Sequence, residues 1–303
     1  MTLGDPKRHS AVPGVPECRV GVTLGVPERR CMALGVPEHQ VVTLPTMARV
    51  RPGEAANPAP PTVQRIRVRF AKRGRLRFLS HRDVARSVER AVRRSGVPVS
   101  HSHGFSPHPR ISWIGAAPTG TASEAEYFEI GLTREMDPTL VRTALDEVLP
   151  DGLDILDAVV ATPPALADRV DASLWRIELD GVAEGDLRAA VDALMAKDSL
   201  VVDRIMPSGK RQIDVRAAVA WAEVGGDAPA GVTPQADAAG RVCAILTAVV
   251  RQTTPAVRPD DVLGALDVVA GLRPPVPAKA TRMAQGLLDD RDRLADPLGP
   301  GRV

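Results

Sequence analysis

The chain has 303 residues, a formal net charge of +2 and 44% hydrophobic residues, which suits one large globular domain or two of ordinary size. No apolar run reaches the length of a membrane span, and the first residues lack the apolar core of a signal peptide. Cys18, Cys31 and Cys243 lack metal-ligand spacing and suit a reducing compartment. We therefore expect a cytoplasmic protein without a membrane partner.

Residues 1–61 form an extension rich in proline and glycine, in which GVPE recurs at Gly14, Gly25 and Gly35. The repeat has no apolar periodicity, which favours a disordered segment. Repetitive DNA read through from an upstream start codon is the other interpretation, and we favour Met47 as the true start. Either way, we expect the function to lie after about residue 62.

From Gln64 to Arg110 the chain carries thirteen basic and two acidic side chains, with four of its six histidines. Subtracting this charge of +11 from the total of +2 leaves −9 for all other residues. Such a concentration of positive charge indicates a polyanionic partner, for which nucleic acid is the first candidate.

Alternating basic and apolar residues predict two strands, at 65–70 and 75–79. The arginines on their common face are Arg65, Arg67, Arg69, Arg75 and Arg77. The next segment, 81–95, predicts a helix that begins after Ser80 and ends at Gly96. The arginines opposite its apolar side are Arg82, Arg86, Arg90 and Arg93. Any amphipathic helix exposes a polar side, but the helix and the strands together favour a polyanion.

Residues 100–112 predict a stiff loop, because its prolines restrict the backbone. Its notable residues are His101, His103, Gly104, Phe105, Pro107, His108, Pro109 and Arg110. Imidazoles on such a loop suit phosphate contact or acid–base chemistry, and with His81 they suit a metal. Neither CxxC nor HExxH is present, so we predict no metal site. Glu124 and Glu126 are expected to pair with arginines.

Further strands are predicted at 97–101, 110–115, 125–132 and 153–160, with a second helix beginning at Asp137. The same pattern then recurs, with strands at 174–182 and 241–250, helices near 187–195 and 260–271, and a hairpin turning at Ser208-Gly209. The fold class is therefore α+β: two ferredoxin-like (βαββαβ) units with antiparallel sheets, at 62–165 and 166–273. Helices are expected to cover one face of each sheet and leave the other free to bind. The tail, 274–303, is expected to form one short helix near Met283 and Leu287.

The segments LRFLSHRDVARSVERAVRRSGVPVSHSHGFSPHPRIS and APTGTASEAEYFEI resemble the radical-SAM-linked proteins that contain the DUF2344 domain. The resemblance is specific from about residue 64 to 160 and looser to about 270, and His103 departs from its pattern. It implies a separately encoded radical SAM enzyme as partner. This chain has no CxxxCxxC motif, so the iron–sulfur cluster and SAM are expected on the partner and no cofactor in this chain.

Together these features predict an accessory RNA-binding protein that serves a radical SAM enzyme in tRNA or rRNA modification. It would have no catalytic activity of its own. Two alternatives stay open. The first is a protein–protein adaptor whose basic surface docks on an acidic partner without RNA. The second is a metal-independent RNA endonuclease that uses His81 or His101 as its base.

Overall fold

The computed structural model describes residues 60–206, 209–225 and 242–299. The predicted extension lies outside these ranges except for its last two residues, and so does Ser208 of the predicted turn. The strands are β1 (Gln64–Lys72), β2 (Ile111–Ile114), β3 (Ala122–Leu132), β4 (Ile155–Val160), β5 (Ala172–Asp180), β6 (Val201–Met206), β7 (Gly209–Asp214), β8 (Val219–Val224), β9 (Cys243–Arg251), β10 (Lys279–Leu288) and β11 (Leu294–Ala295). The helices are α1 (His81–Ser95), α2 (Pro138–Asp146), α3 (Glu184–Met195), α4 (Val215–Ala218) and α5 (Pro259–Ala270).

Most strands belong to one large sheet of order β4-β1-β3-β10-β5-β9-β8, with β2 paired to β3 and β11 paired to β10. The sheet is mainly antiparallel, so the α+β class is confirmed. Its two halves meet where β10 runs parallel to β3, with Thr281 opposite Ala122 and Arg282 opposite Ser123. One edge of β3 is shared by two strands. The short strand β2 pairs with residues 127–130 of β3, and β10 pairs with residues 122–123 at the start of the same strand.

Among the described residues the core forms two large clusters, one in each half of the sheet, and a small third one around Tyr127. In the first half, the apolar residues of β1, β3 and β4 pack against α1 and α2. In the second half, those of β5, β8 and β9 pack against α3, α5 and the β6–β7 hairpin. No described helix combines the length and the apolar composition that crossing a lipid bilayer requires.

The helix α1 has the bounds predicted from its sequence. The Ser80 side chain accepts a hydrogen bond from the backbone N–H of Asp83, and Gly96 ends the helix with a left-handed φ of 71°. The helix buries the apolar side that its spacing predicts, through Val84, Val88, Ala91 and Val92.

Two predicted elements are wrong, and the strand predicted at 97–101 is reduced to isolated bridges from Val99 to Leu132 and from His101 to Pro109. Residues Gly74–Phe78 form a 3-10 helix rather than a strand, so Arg75 and Arg77 do not extend the alternating face of β1. The helix expected near Met283 and Leu287 is instead the strand β10. Its composition favours a helix locally, but pairing with both β3 and β5 outweighs that preference. The predicted boundary at residue 273 falls between α5 and this strand.

Candidate nucleic-acid interface

The exposed side of α1 carries Arg82, Arg86 and Arg90 in a row. Their contacts are weak: Arg86 Nη1 lies 3.9 Å from Asp83 Oδ1, and Arg90 Nη2 donates to Ser87 Oγ at 3.0 Å. Exposed ion pairs of this kind contribute little to stability, so these guanidinium groups remain available to an anion.

The N-terminus of α1 already has a negative charge. Ser80 Oγ donates to Asp83 Oδ2 at 2.6 Å, and this hydrogen bond lowers the pKa of Asp83. A carboxylate in the first turn interacts favourably with the helix dipole. His81 follows the cap, and its ring lies edge-on to Trp113 with 5.3 Å between centroids. His81 therefore packs against Trp113, and the carboxylate of Asp83 already provides a negative charge at the N-terminus of α1.

Residues 101–110 form a narrow loop that is closed at its base. His101 bridges to Pro109, and the Ser102 N–H donates to the His108 carbonyl at 2.8 Å. Beyond this base, Phe105 is 94% exposed and Gly104 has a φ of 122°, which favours glycine. The predicted loop residues are thus brought together, with an aromatic ring presented to solvent.

The other members of this loop region divide into exposed and anchored groups. His103, Pro107, His108 and Arg110 are exposed, whereas Pro109 is half-buried. His101 Nδ1 lies 3.0 Å from the Val99 carbonyl, and its own carbonyl accepts from Arg110 Nε at 3.3 Å. Among the described residues, no three His, Cys, Asp or Glu side chains are placed to hold one metal ion.

The sheet face that bears the arginines of β1 is partly covered, contrary to the expectation of a free face. Leu166 and Leu298 pack there against Ala125 and Tyr127 of β3. Arg67 is buried beneath the same cover, where Nη2 donates to the Thr162 carbonyl at 2.7 Å and to the Pro164 carbonyl at 2.5 Å. These contacts remove Arg67 from any nucleic-acid surface and make it a structural residue.

The remaining arginines of the predicted face are dispersed. Arg65 is exposed and pairs with Glu129 at 3.0 Å, whereas Arg69 is half-buried beside Tyr127. Arg75 is exposed, and the Arg77 guanidinium lies 4.7 Å from the Phe78 ring centroid. The five arginines therefore do not form the continuous face that strand alternation predicts.

A buried polar cluster lies at the junction of β3 and β10, and the sequence predicts only one part of it, the pairing of Glu126 with an arginine. Glu126 and Arg282 form an ion pair, and Glu126 Oε2 also accepts from the Ala117 N–H at 3.2 Å. Lys72 Nζ donates to the carbonyls of Ala117 and Pro118 at 3.1 and 3.2 Å. Burial lowers the pKa of Lys72, while the Glu126 carboxylate acts in the opposite direction.

The expected pairing of Glu124 and Glu126 with arginines is confirmed. Glu124 accepts from Arg73 Nε at 2.7 Å, and Glu126 pairs with Arg282. Arg73 follows β1 and is near in sequence to the other basic residues, but Arg282 lies 156 positions from Glu126. The surplus of basic residues predicted that arginines would be partners, and nothing local identified Arg282.

A family model described as an uncharacterized protein conserved in bacteria (DUF2344) matches residues 65–259. The chain belongs to the DUF2344 family. A comparison with curated proteins found no match. The matched range of this DUF2344 protein includes α1 and the loop at 101–110, and it ends before β10.

Proposed function

We propose that this DUF2344 protein is an accessory RNA-binding protein that acts in the cytoplasm. It would present tRNA or rRNA to a separately encoded radical SAM enzyme for modification. The observation that carries the proposal is the exposed row of Arg82, Arg86 and Arg90 on α1, whose guanidinium groups have only weak partners. Such a row supplies phosphate contacts that are independent of sequence.

The loop at 101–110 supports RNA in preference to a purely electrostatic partner. Phe105 stands almost fully exposed beside the exposed His108 and Arg110. Aromatic side chains stack on unpaired bases, and basic residues nearby contact the backbone. Single-stranded loops of a structured RNA offer both kinds of group.

We further propose that both halves of the sheet are ferredoxin-like units. The order β4-β1-β3-β2 in the first half and β10-β5-β9-β8 in the second supports this, because each is the order of a split βαβ fold. In the second unit, the β6–β7 hairpin and α4 would be an insertion between α3 and β8.

The radical SAM partner is proposed from the family resemblance. The iron–sulfur cluster and SAM are assigned to that partner because this chain has no CxxxCxxC motif. Burial also raises the pKa of the Cys243 thiol, which disfavours the thiolate that a cluster requires.

The test measures the affinity for a structured RNA over a range of salt concentrations. Replacing Arg82, Arg86 and Arg90 together by glutamine should flatten the dependence of log K on log[salt] by about 0.7 per lost contact. The matched control replaces three exposed arginines in the second half of the sheet by glutamine and should leave the slope unchanged. These are Arg188, Arg273 and Arg293. Equal effects in the two triple variants would remove α1 from the interface.

A second measurement isolates the loop. Phe105→Ala should weaken RNA binding by about fivefold to a hundredfold, the range for loss of one stacked base, and leave the melting temperature unchanged. Crosslinking in cells should recover tRNA or rRNA with the intact chain. Co-purification of a radical SAM enzyme without RNA, together with no RNA affinity in vitro, would favour the adaptor alternative instead.

A further inference from the structure

A cavity of about 320 Å³ lies at the junction of the two halves of the sheet. It is lined by Gly115, Ala116 and Pro118 after β2, by Ser173 and Trp175 on β5, by Arg282 on β10, and by residues 250–253 and 256–258 at the end of β9 and before α5. This volume is at the small end of the range for ligand sites in proteins, roughly 300 to 1,000 Å³. Neither α1 nor the loop at 101–110 contributes to it.

The cavity is positively charged. Arg251, Arg258 and Arg282 line it, and no described lining residue is acidic. Glu126 neutralises Arg282, so the lining and its buried partner together carry a charge of +2. A phosphate monoester carries about −1.5 to −2 at neutral pH, which matches this charge.

The two acidic residues that follow Arg258 in the sequence do not neutralise the cavity. Asp261 pairs with Arg204, whose Nε donates to Oδ1 at 2.9 Å, and it also accepts from the Arg258 N–H. Asp260 is exposed in the first turn of α5 and does not line the cavity. The side chains of Arg251 and Arg258 are exposed and form no ion pair with a described carboxylate.

An unused hydrogen-bond acceptor is buried behind Gly115, which lines the cavity. Gln285 is buried, and its Nε2 donates to the Ala125 carbonyl at 2.5 Å, but its Oε1 has no partner among the described residues. A Cβ on residue 115 would lie 2.8 Å from this Oε1 and 3.7 Å from Gln252 Nε2. Both amides therefore converge on Gly115, a lining residue, where an added side chain would collide with Gln285. A buried acceptor without a donor is costly, so Gln285 is a strained element behind this wall of the cavity.

The segment that contributes Ala116 and Pro118 to the cavity is held in place through Ala117 and Pro118. Lys72 Nζ donates to the carbonyls of Ala117 and Pro118, and Glu126 accepts from the Ala117 N–H. These charge-assisted hydrogen bonds fix one side of the cavity before any ligand binds.

We propose that this cavity binds the phosphate monoester of a nucleotide, either a free mononucleotide or the 5′ end of an RNA chain. Arg251 and Arg258 supply the unpaired positive charge. The site is separate from the α1 surface, so it does not depend on the RNA-binding role proposed above.

The experiment titrates the full chain with AMP and with adenosine, by calorimetry and by thermal shift. AMP should bind and raise the melting temperature, whereas adenosine, which lacks the phosphate, should bind at least about tenfold more weakly. The variant Arg251→Ala/Arg258→Ala should lose at least about tenfold in AMP affinity. Arg82→Ala/Arg86→Ala removes the same charge from α1 and should leave AMP affinity within about twofold, since those residues lie outside the cavity.

A second arm distinguishes the two sources of the phosphate. It compares an RNA oligonucleotide with a 5′-phosphate and the same oligonucleotide with a 5′-hydroxyl. A preference for the 5′-phosphate that disappears in Arg251→Ala/Arg258→Ala supports the RNA end, and AMP binding that disappears in the same variant supports the free nucleotide. The proposal is overturned if neither ligand shows binding that depends on its phosphate, or if the variant binds both as the intact chain does. AMP binding without any RNA affinity would refute the α1 interface and leave this site standing.

Discussion

Glu126 on β3 and Arg282 on β10 form a buried ion pair between strands that come from the two halves of the sheet. Only 6% and 5% of their side-chain surfaces are exposed, so both charges are removed from water. The backbone pairing at this junction is short, with Thr281 opposite Ala122 and Arg282 opposite Ser123. The two halves are therefore held together in part by a charge pair whose members depend on each other.

Arg282→Met should lower the free energy of unfolding by about 3–5 kcal/mol, because it leaves the Glu126 carboxylate buried without its partner. The double variant Glu126→Gln/Arg282→Met removes both charges and should recover most of that loss. Urea denaturation of the two variants measures both values.

The matched control is Arg273→Met, which breaks the pair between Arg273 and Asp267 on the surface. The Arg273 side chain is 80% exposed, so the change should cost less than about 1 kcal/mol. A loss for Arg282→Met no larger than this would show that the β3–β10 pair is hydrated.

The contrast between α1 and β10 shows what the sequence can predict. The bounds of α1 follow from Ser80, Gly96 and an apolar spacing, all within one segment, and the exposure of its arginines follows from the same spacing. The strand β10 is set by β3 and β5, which lie more than a hundred residues earlier in the chain. Local composition carries no information about that pairing.

The arginines of β1 show the same limit within the candidate site. Alternation correctly places Ile66 and Val68 in the core, and it places Arg67 on the opposite face. It cannot show that this face is covered, because Leu166 and Leu298 reach it from other parts of the chain. The burial of Arg67 follows from that cover.

Arg67→Ala should therefore destabilise the fold by about 3 kcal/mol, since it removes the short charged hydrogen bonds to the Thr162 and Pro164 carbonyls and leaves them only the longer ones from Arg169, at 3.3 and 3.4 Å. Arg65→Ala is the matched control on the same strand face, and 57% of the Arg65 side chain is exposed. It should cost less than about 1 kcal/mol. Chemical denaturation compares the two, and equal losses would mean that the cover over Arg67 is open in solution.

Tyr127 provides a spectroscopic test of the same cover, because it is the only tyrosine in the chain. Burial raises the pKa of Tyr127 to about 12, with the Asp296 carboxylate acting in the same direction and Arg69 opposing it. Titration of tyrosinate absorbance should therefore have its midpoint near pH 12 in the folded chain. A midpoint near the ordinary value of about 10 would place the ring in water.

The raised pKa of Tyr127 also determines how the free energy of unfolding changes with pH. The folded state holds the phenol proton more tightly than the unfolded state, so the contribution of Tyr127 is fully present below about pH 10 and is lost as the pH rises towards 12. A shift of this size corresponds to about 2–3 kcal/mol. Tyr127→Phe should lack this loss in the same window, as measured by urea denaturation at a series of alkaline pH values.

Variants of His81 distinguish most directly between an accessory protein and a ribonuclease. Its ring packs edge-on against Trp113, and Asp83 already supplies a negative charge in the first turn of α1. We therefore expect a packing role. His81→Asn should cost about 0.5–1.5 kcal/mol through loss of the ring contact and leave RNA affinity within a few-fold of the intact chain. His81→Phe keeps a ring at the same place and should recover the stability, although it has no group that can move a proton.

Incubation of labelled RNA with each variant completes the comparison, with His103→Asn as the control because His103 is exposed on the loop. On the accessory interpretation, none of the four proteins cleaves RNA. Cleavage by the intact chain and by His103→Asn that is absent in both His81 variants would make His81 a catalytic base. This pattern requires the proton-transferring imidazole, because a purely structural role would be restored by phenylalanine.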